Sequence, residues 1–291
     1  MRRFLADRVS VGALLVLLCI TAISSAAPLI GQAMGSDPER FVRSPSGRIA
    51  ALQPPDGDHL LGTDEVGRDV LIRLLHAGRV SLLVGFGVAL VALAIGGPLG
   101  VTAAYYGRWV DDLVNALVQV TLNVPVLFVL IVLSTFFSPG PLQLALLFGL
   151  FYWPRAARQV RAAVLSVQAR DYVTAARMLG AGDAHIMRRH VLPNSASVLL
   201  VVAGIDVATA ILAESSLSFL GFGVPAPLAS WGNMLSLSPD LFRSAPWLVY
   251  PPGALIVITV LSVFLVSDGV RDALDPRTPL TRAAPTRRSS R

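Results

Sequence analysis

The segment SLLVGFGVALVALAIGGPLGVTAAY, residues 81–105, contains no acidic or basic side chain. A helix that crosses the hydrocarbon core of a bilayer needs about 20 consecutive, predominantly apolar residues. The glycines and Pro98 weaken an isolated helix, but neighbouring helices in a membrane protein cover the backbone groups that such residues leave free. The segment therefore predicts a membrane-spanning helix, and with it a protein whose main solvent is lipid.

The composition of the whole chain agrees with a membrane location. Of 291 residues, 54% are hydrophobic and 14% are charged, whereas soluble domains carry about 25% charged residues. The net charge of +6 is also found in nucleic-acid-binding proteins. The apolar fraction favours a membrane protein whose basic residues set its orientation, so no nucleic-acid partner is expected.

Five other segments resemble residues 81–105 in length or in apolar character, and together they predict an all-α, polytopic membrane fold with about six spans. The predicted spans are residues 11–30, 81–105, 113–137, 142–153, 198–213 and 247–266. The fourth and fifth are the shortest. The first has an alternative interpretation as a secretory signal peptide, because Arg2 and Arg3 precede it and small residues end it. Its length favours a retained helix.

The chain contains no lysine, so all 24 of its Lys/Arg residues are arginines. With six spans and a cytoplasmic N-terminus, 17 of the 24 arginines fall on the cytoplasmic side and seven outside. Because positive residues accumulate in cytoplasmic segments, both termini are predicted to be cytoplasmic. Residues 1–76 then hold the first span and an extracytoplasmic stretch, residues 77–275 form a membrane domain with five helices, and residues 276–291 are a basic tail expected to be disordered.

The missing lysine also limits the chemistry of the chain. The phosphate-binding loop G-x-x-x-x-G-K-[ST] needs its lysine at the β- and γ-phosphates, so this chain cannot carry that site, and any ATP must be bound by another chain. The sequence also lacks a G-x-S-x-G nucleophile motif and any spacing of ligands typical of a metal site. We therefore expect a non-catalytic protein without a cofactor or metal of its own.

Two carboxylates fall in or beside an apolar segment. Asp206 lies within the predicted span 198–213, where an ionisable side chain costs roughly 2.5–3.5 kcal/mol on insertion scales and is usually functional. It either forms a hydrogen bond with a neighbouring helix or lines a solute path. Glu214, one residue after this span, is a second candidate for the path. Gradient-driven carriers usually contain several such groups, so a single Asp within a span gives that class little support.

Residues 155–193, RAARQVRAAVLSVQARDYVTAARMLGAGDAHIMRRHVLP, form a long arginine-rich connection between two predicted spans. Apolar residues at helical spacing, interrupted at Gly180 and Gly182, predict two short helices joined by a glycine turn. Asp183 is predicted to cap the second helix and Pro193 to end it. A structured loop of this length is usually functional. The alternative is a basic helix that lies on anionic lipid.

The spacing within this loop resembles the EAA loop of ABC importer permeases, E-A-A-x(3)-G-x(9)-I-x-L-P. Ala175 and Ala176 are followed by Gly180 and, after nine residues, by HVLP at residues 190–193. Thr174 stands where that family has Glu. Other segments resemble, in the same order along the chain, the second permease subunit of the dipeptide/oligopeptide/nickel family. They are residues 61–70, 78–82, 171–173, 189–194, 214–223, 230–235 and 268–277.

This resemblance implies a type I ABC importer transmembrane fold in the cell inner membrane. The implied partners are a homologous second permease subunit, two ATP-binding subunits and an extracytoplasmic solute-binding protein. The loop is implied to dock on an ATP-binding subunit. Arg177, Arg188 and Arg189 either orient the loop on that subunit or serve only as the positive charges that keep this side of the protein in the cytoplasm. The loop positions concerned are Thr174, Ala175, Ala176, Gly180, Ala181, Asp183, His190, Leu192 and Pro193.

Residues 215–235 form a predicted outer segment between the fifth and sixth spans. Trp231 and Asn233 are its candidates for an outer gate or for contact with the binding protein, while an anchor at the membrane interface is an equal alternative for Trp231. The resemblance implies a path for di- or oligopeptides, with nickel or another small solute as the alternative. A gradient-driven secondary transporter and a membrane assembly protein are the less favoured classes.

Overall fold

Helices account for most of the fold in the computed structural model, which describes residues 2–43, 47–236 and 238–274. Within these ranges there is no β-strand, only three isolated β-bridges between residues 41 and 69. The all-α prediction is therefore confirmed. The predicted tail, residues 276–291, lies outside the described residues.

The α-helices of the described residues are α1 (Arg2–Ala6), α2 (Arg8–Ser25), α3 (Ala27–Ala33), α4 (Val70–Tyr106), α5 (Arg108–Leu122), α6 (Val126–Phe136), α7 (Pro141–Gln168), α8 (Asp171–Met178), α9 (Asp183–Ile186), α10 (Leu192–Phe219), α11 (Ser238–Leu241) and α12 (Tyr250–Leu274). A short π-helix (Met187–Val191) joins α9 to α10, and two 3₁₀ turns (Asn233–Leu235 and Pro246–Leu248) lie near α11.

Four helical segments are long and apolar enough to cross a membrane: Arg8–Ser25, Val70–Tyr106, Val198–Phe219 and Pro246–Leu274. α5 and α6 form a fifth candidate if they are counted as one span, bent by 68°. The fourth predicted span lies in the first half of α7, whose apolar part ends before Arg155 and is too short to qualify alone. The polytopic membrane fold is thus confirmed, and by length and composition the described residues supply four or five of the six predicted spans.

Two helix boundaries differ from the prediction for local reasons. The first predicted span, 11–30, is divided because α2 ends at Ser25, and α3 begins with a proline in its first turn, where the missing N–H costs no helical hydrogen bond. The second predicted span starts at Val70 rather than at residue 81. Asp69 caps it, since its side chain accepts a 3.0 Å hydrogen bond from the backbone N–H of Ile72.

α4 and α7 pack together so closely that two positions require glycine. A Cβ atom at Gly96 would lie 2.4 Å from the carbonyl oxygen of Trp153, and one at Gly100 would lie 2.5 Å from that of Ala157. α10 contacts α4, α7 and α12, and α12 contacts α2. α4 and α10 therefore lie in the middle of the bundle, and the other long helices surround them.

This close approach is tested by a matched pair of substitutions in α4. We expect Gly96→Ala to destabilise the protein by about 1–3 kcal/mol, because the added methyl group overlaps backbone atoms of α7 that cannot move aside. Gly97→Ala adds the same methyl group to the same helix, but its nearest neighbour there is a Leu199 side-chain carbon at 3.7 Å, an ordinary contact. The measurement is the unfolding temperature in detergent. Equal unfolding temperatures for the two variants would contradict the observed packing.

Candidate functional site

The arginine-rich connection is more helical than predicted. Residues 155–168 are the second half of α7, so the loop itself starts at Ala169. After α8 and the glycine turn, helical backbone continues without a break through α9, the π-helix and α10. The prediction that Pro193 ends a helix is wrong: Pro193 is the second residue of α10, directly after the π-helix, and lies within this continuous helical stretch.

The predicted glycine turn is present at the end of α8. Gly180 has φ +84°, a conformation that L side chains rarely adopt. Its N–H donates to the carbonyl oxygen of Arg177 at 3.0 Å, and the N–H of Ala181 donates to that of Ala176 at 3.0 Å. This pair of hydrogen bonds is the Schellman motif, which satisfies the last carbonyl groups of a helix. The turn therefore stops α8 and fixes the direction in which its last residues point.

An apolar cluster fastens the loop to the membrane helices. Val173 of α8, Ile186 of α9 and Val191 of the π-helix are fully buried, and they pack with Val160 and Val164 of α7. The carboxyl-terminal end of α4 contributes to the same cluster. These side chains share one core, so α8, α9 and the π-helix are packed together with the carboxyl-terminal half of α7.

Asp183 does not cap α9 as predicted. Gly182 occupies the N-cap position and makes no side-chain hydrogen bond. Instead, the Asp183 carboxylate oxygen Oδ1 accepts a 2.7 Å hydrogen bond from the hydroxyl group of Tyr105, at the end of α4. The Asp183 side chain thus links the loop to α4 rather than satisfying its own helix.

A bidentate ion pair holds α5 against α7 beside the loop. Arg161 donates from Nε to Oδ1 of Asp111 at 2.6 Å and from a terminal nitrogen to Oδ2 at 2.5 Å. These hydrogen bonds raise the pKa of Arg161 above its usual value. The two residues are 50 positions apart, and nothing in the sequence around either one predicted the pair.

The tip of the loop exposes two large apolar side chains. Met178 and Leu179, just before Gly180, are 86% and 88% exposed. Thr174 and Ala175 are also exposed on α8, and Ala176, two residues before the tip, is half-buried. A soluble or cytoplasmic surface rarely presents such side chains together unless another molecule covers them. The tip is therefore a candidate contact surface for a protein.

The same loop carries exposed basic residues and an aromatic contact. The side chains of Arg177, Arg188 and Arg189 are all exposed, as the predicted orienting role requires. His190, which stands at the Ile position of the motif, is half-buried with its ring 5.6 Å from that of Tyr172. The remaining predicted loop positions are Ala181, which is half-buried, and Leu192 and Pro193, which are exposed.

At the other end of the bundle, Glu214 is the centre of a buried polar network. Its carboxylate accepts hydrogen bonds from the hydroxyl groups of Ser218 (2.6 Å) and of Ser81 in α4 (3.3 Å). Each serine also accepts a backbone N–H from the outer segment, at Val224 and Trp231 respectively, both at 3.1 Å. Glu214 thereby holds two points of the outer segment onto α10 and α4.

The role of Glu214 and Asp206 in a solute path stays a prediction. In this conformation of the subunit Glu214 is fully buried and Asp206 is 1% exposed. Asp206 was also predicted to form a hydrogen bond with a neighbouring helix. Its carboxylate oxygen Oδ2 is buried and has no hydrogen-bond partner among the described residues.

Trp231 is buried and Asn233 is half-buried, and both form hydrogen bonds within the protein. Trp231 is fully buried, and its indole N–H donates to the carbonyl oxygen of Leu74 at 3.3 Å. The indole ring is therefore not exposed in this conformation, and its role at an outer gate, in contact with the binding protein or at the membrane interface stays a prediction. Asn233 is half-buried; its side chain accepts from the N–H of Ser230 and donates to the carbonyl oxygen of Leu228. It braces the turn of the outer segment.

A second polar turn lies in the segment before α4, within residues 61–70. Asp64 accepts hydrogen bonds from the backbone N–H of Arg68 at 2.8 Å and from its Nε at 2.7 Å, and it lies 3.4 Å from Nε of Arg73. The indole N–H of Trp247 donates to the carbonyl oxygen of Thr63. The polar residues of this motif therefore build the entry to α4. No group of three potential metal ligands occurs among the described residues.

Comparison with known proteins identifies the type of chain. Residues 96–279 match the family described as binding-protein-dependent transport system inner membrane component. A putative peptide permease protein of Brucella suis biovar 1 is 41% identical over 234 residues, which cover 80% of this chain and 78% of the relative. The dipeptide transport system permease protein DppC of Alkalihalophilus pseudofirmus is 35% identical over 271 residues, covering 93% and 86%.

The fold is also found among solved structures. A chain of the MetNI methionine ABC transporter, in an inward-facing conformation, superposes with a TM-score of 0.60 at 20% identity and covers 70% of this chain and 97% of that one. A second crystal form gives a TM-score of 0.58 at 21% identity, with 69% and 96% covered. The expected ABC importer transmembrane fold is therefore confirmed.

The Glu214 network is tested by two serines of α10. We expect Ser218→Ala to destabilise the outer segment by about 1–3 kcal/mol, since it leaves the buried carboxylate and the N–H of Val224 each short of a partner. Ser216→Ala is the control, because that exposed hydroxyl group bonds only the carbonyl oxygen of Leu212 in its own helix. The measurement is the rate of protease cleavage within residues 220–236. Equal rates in the two variants would contradict the network.

Proposed function

The chain belongs to the family of binding-protein-dependent transport system inner membrane components, and from this membership we propose that it is a permease subunit of an ATP-driven importer. It forms half of the translocation path and pairs with a homologous second permease subunit. Two ATP-binding subunits dock on the cytoplasmic side, and a solute-binding protein delivers the solute on the other side. The chain itself is not catalytic.

The observation that carries this proposal is the exposed apolar tip, Met178 and Leu179. The tip lies at the end of α8, which the Gly180 turn stops, and the same loop exposes Arg177, Arg188 and Arg189. Met and Arg are both enriched at protein interfaces. Because the chain has no lysine and hence no phosphate-binding loop of the G-x-x-x-x-G-K-[ST] type, the ATPase is a separate chain, and the tip is its docking site.

The apolar cluster under the loop supports coupling between the two sites. Closure of the ATP-binding subunits displaces α8 and α9, and the shared core of Val173, Ile186 and Val191 passes this displacement to α7 and α10. These helices are rigid elements that span the distance to the outer segment. Coupling of this kind needs two discrete arrangements of packed helices rather than a continuous deformation.

Thr174 changes one expected contact of the docking site. The family motif has Glu at this position, and a carboxylate there could pair with a basic residue of the ATPase. Thr174 is exposed on α8, and its hydroxyl group can form a hydrogen bond but no ion pair. In this importer the docking free energy therefore comes mainly from the apolar tip and from the arginines.

For the solute we propose di- or oligopeptides. The support is the naming of the relatives as peptide and dipeptide permeases, and nickel or another small solute is the competing class. The decisive measurement is calorimetric titration of the cognate solute-binding protein with dipeptides, tripeptides, longer peptides and Ni²⁺. Binding of peptides alone is the expected result, whereas binding of Ni²⁺ without any peptide would exclude the peptide assignment.

Docking is tested at the tip of the loop. We expect Leu179→Asp to lower the amount of co-purified ATP-binding subunit by about 10-fold or more, because loss of a central apolar contact costs about 2 kcal/mol or more at an interface. Leu60→Asp is the control: Leu60 is 58% exposed in the segment before α4, far from the loop in sequence. Both variants should insert into the membrane normally. Undiminished co-purification of Leu179→Asp would contradict the docking site.

The glycine turn gives a further test of coupling. Gly180→Pro is expected to abolish transport and transport-linked ATP hydrolysis while leaving membrane insertion intact, because proline fixes φ near −65° and has no N–H for Arg177. Gly180→Ala should have a weaker effect of the same kind, since a left-handed L residue costs roughly 1–2 kcal/mol.

The matched control for this turn is Gly182→Ala. Both glycines have open space around a Cβ atom, but only Gly180 has a positive φ. Transport by Gly182→Ala should equal that of the unmodified protein. Normal solute uptake by Gly180→Pro would remove the turn from the coupling mechanism.

A further inference from the structure

A cavity of about 560 Å³ lies beside the outer end of α4. Its wall includes Ser24 in the last turn of α2, Pro141 at the start of α7 and Leu228 of the outer segment. The cytoplasmic loop follows the opposite end of α7 and contacts the opposite end of α4 at Tyr105. The cavity therefore lies at the outer surface of the membrane, and its volume is that of a small-ligand site.

Arg79 lines this cavity and has a free positive charge. It is the last charged residue before the uncharged segment 81–105, so its guanidinium group lies near the boundary between lipid headgroups and hydrocarbon. The side chain is exposed and forms no hydrogen bond or ion pair with any described residue. Phosphate is the anion that a bilayer offers at this depth, and Arg binds phosphate through two parallel hydrogen bonds.

Two neighbours on α4 differ in what they can add to this charge. Arg73 is already engaged, since Asp64 lies 3.4 Å from its Nε and the carbonyl oxygen of Pro38 accepts from a terminal nitrogen at 3.3 Å. His76 binds the carbonyl oxygen of Ile72 through Nδ1 at 2.9 Å, which places the proton of the neutral ring on Nδ1. Its Nε2 has no partner among the described residues, so a protonated ring has one donor left for an anion.

Glu39 adds a carboxylate to the lining of the same cavity. Its side chain is exposed and forms no hydrogen bond or ion pair within the described residues. One free guanidinium group and one free carboxylate match a ligand that carries a phosphate and an ammonium group. A ligand with a second negative charge would instead be repelled by Glu39.

The wall of the cavity on the membrane side of Arg79 is apolar. Leu83, Phe86 and Leu90 follow Arg79 at intervals of four, three and four residues, so these side chains share one face of α4. All three are exposed, and Leu83 and Phe86 also line the cavity. A peptide has polar groups along its whole length, whereas a phospholipid has a charged head followed by apolar chains. The cavity therefore fits a lipid better than the transported solute.

We propose that this cavity binds phosphatidylethanolamine of the outer leaflet. Arg79 and the protonated form of His76 bind the phosphate, Glu39 binds the ammonium group, and an acyl chain lies along Leu83 and Phe86. The lipid then fills the space between α2 and α4 and holds the outer ends of the two helices together. This binding site goes beyond the proposed function, because it needs neither the solute nor ATP.

The first experiment measures lipid binding to the assembled transporter in detergent, by native mass spectrometry and by unfolding temperature. Phosphatidylethanolamine should stay bound and raise the unfolding temperature more than phosphatidylglycerol or phosphatidylcholine does. Arg79→Gln should lower the retained phosphatidylethanolamine by about 10-fold or more, because it removes a charged donor to the phosphate. Arg79→Lys keeps the charge and should lose less. Equal retention by Arg79→Gln and the unmodified protein would overturn the site.

Selection of the headgroup is tested at Glu39. Glu39→Gln removes the negative charge that attracts the ammonium group and repels a second anionic group. The variant should therefore bind phosphatidylglycerol as well as it binds phosphatidylethanolamine. An unchanged preference for phosphatidylethanolamine would remove Glu39 from the site and overturn the choice of this lipid.

Arg108→Gln is the matched control for the loss of charge. Arg108 is also exposed and is the first charged residue after the segment 81–105, but it lies at the other membrane surface and outside the cavity. Its substitution should leave the retained phosphatidylethanolamine unchanged. If it lowered retention as strongly as Arg79→Gln does, the lipid would bind any arginine at a membrane surface, and the specific site would be wrong.

The competing occupant is a peptide whose carboxylate binds Arg79. An excess of dipeptide or tripeptide should not displace the bound lipid. Glycerophosphoethanolamine, which has the headgroup without acyl chains, should not raise the unfolding temperature at the same concentration. Displacement of the lipid by peptide would overturn the lipid assignment in favour of a solute site. Neither readout involves transport, so failure of the lipid site would leave the proposed function standing.

Discussion

The contact of α4 with α7 is the constraint on which the rest of the structure depends. Carbonyl oxygens of α7 lie where side chains at Gly96 and Gly100 would otherwise be, so the two backbones touch and cannot slide past each other easily. α4 reaches from the polar turn around Asp64 to the hydrogen bond between Tyr105 and Asp183. One helix therefore contacts both the loop and the segment before the bundle, and the coupling that we propose has a packed backbone, rather than flexible side chains, available to it.

The fold class and the cytoplasmic loop were predictable from the sequence, because both depend on local patterns. Apolar runs identified most of the spanning helices, and the interruption of the helical pattern at Gly180 and Gly182 predicted the glycine turn. Helix boundaries were less predictable, since Asp69 extends α4 by capping it and helical backbone continues through Pro193. Whether a proline ends a helix depends on the residues packed around it, which a single sequence leaves open.

The polar networks could not be predicted, because their partners are far apart in the chain. Ser81 meets Glu214 across 133 positions, and Asp111 meets Arg161 across 50. Glu214 was named as a candidate for a solute path and Trp231 as a candidate for an outer gate or a binding-protein contact, but the sequence did not predict that both are fully buried within this network. The only available signal was that Ser81, Ser218 and Ser230 all fall within the segments that resemble the permease family.

The buried network around Glu214 has a consequence for biosynthesis. An unpaired carboxylate costs several kcal/mol in hydrocarbon, so α10 is a poor membrane helix when it leaves the ribosome alone. Its hydroxyl donor Ser81 is on α4, which is translated earlier. The chain order therefore places this donor in the bilayer before α10 arrives. Integration of α10 is then a late step that depends on α4 being in place.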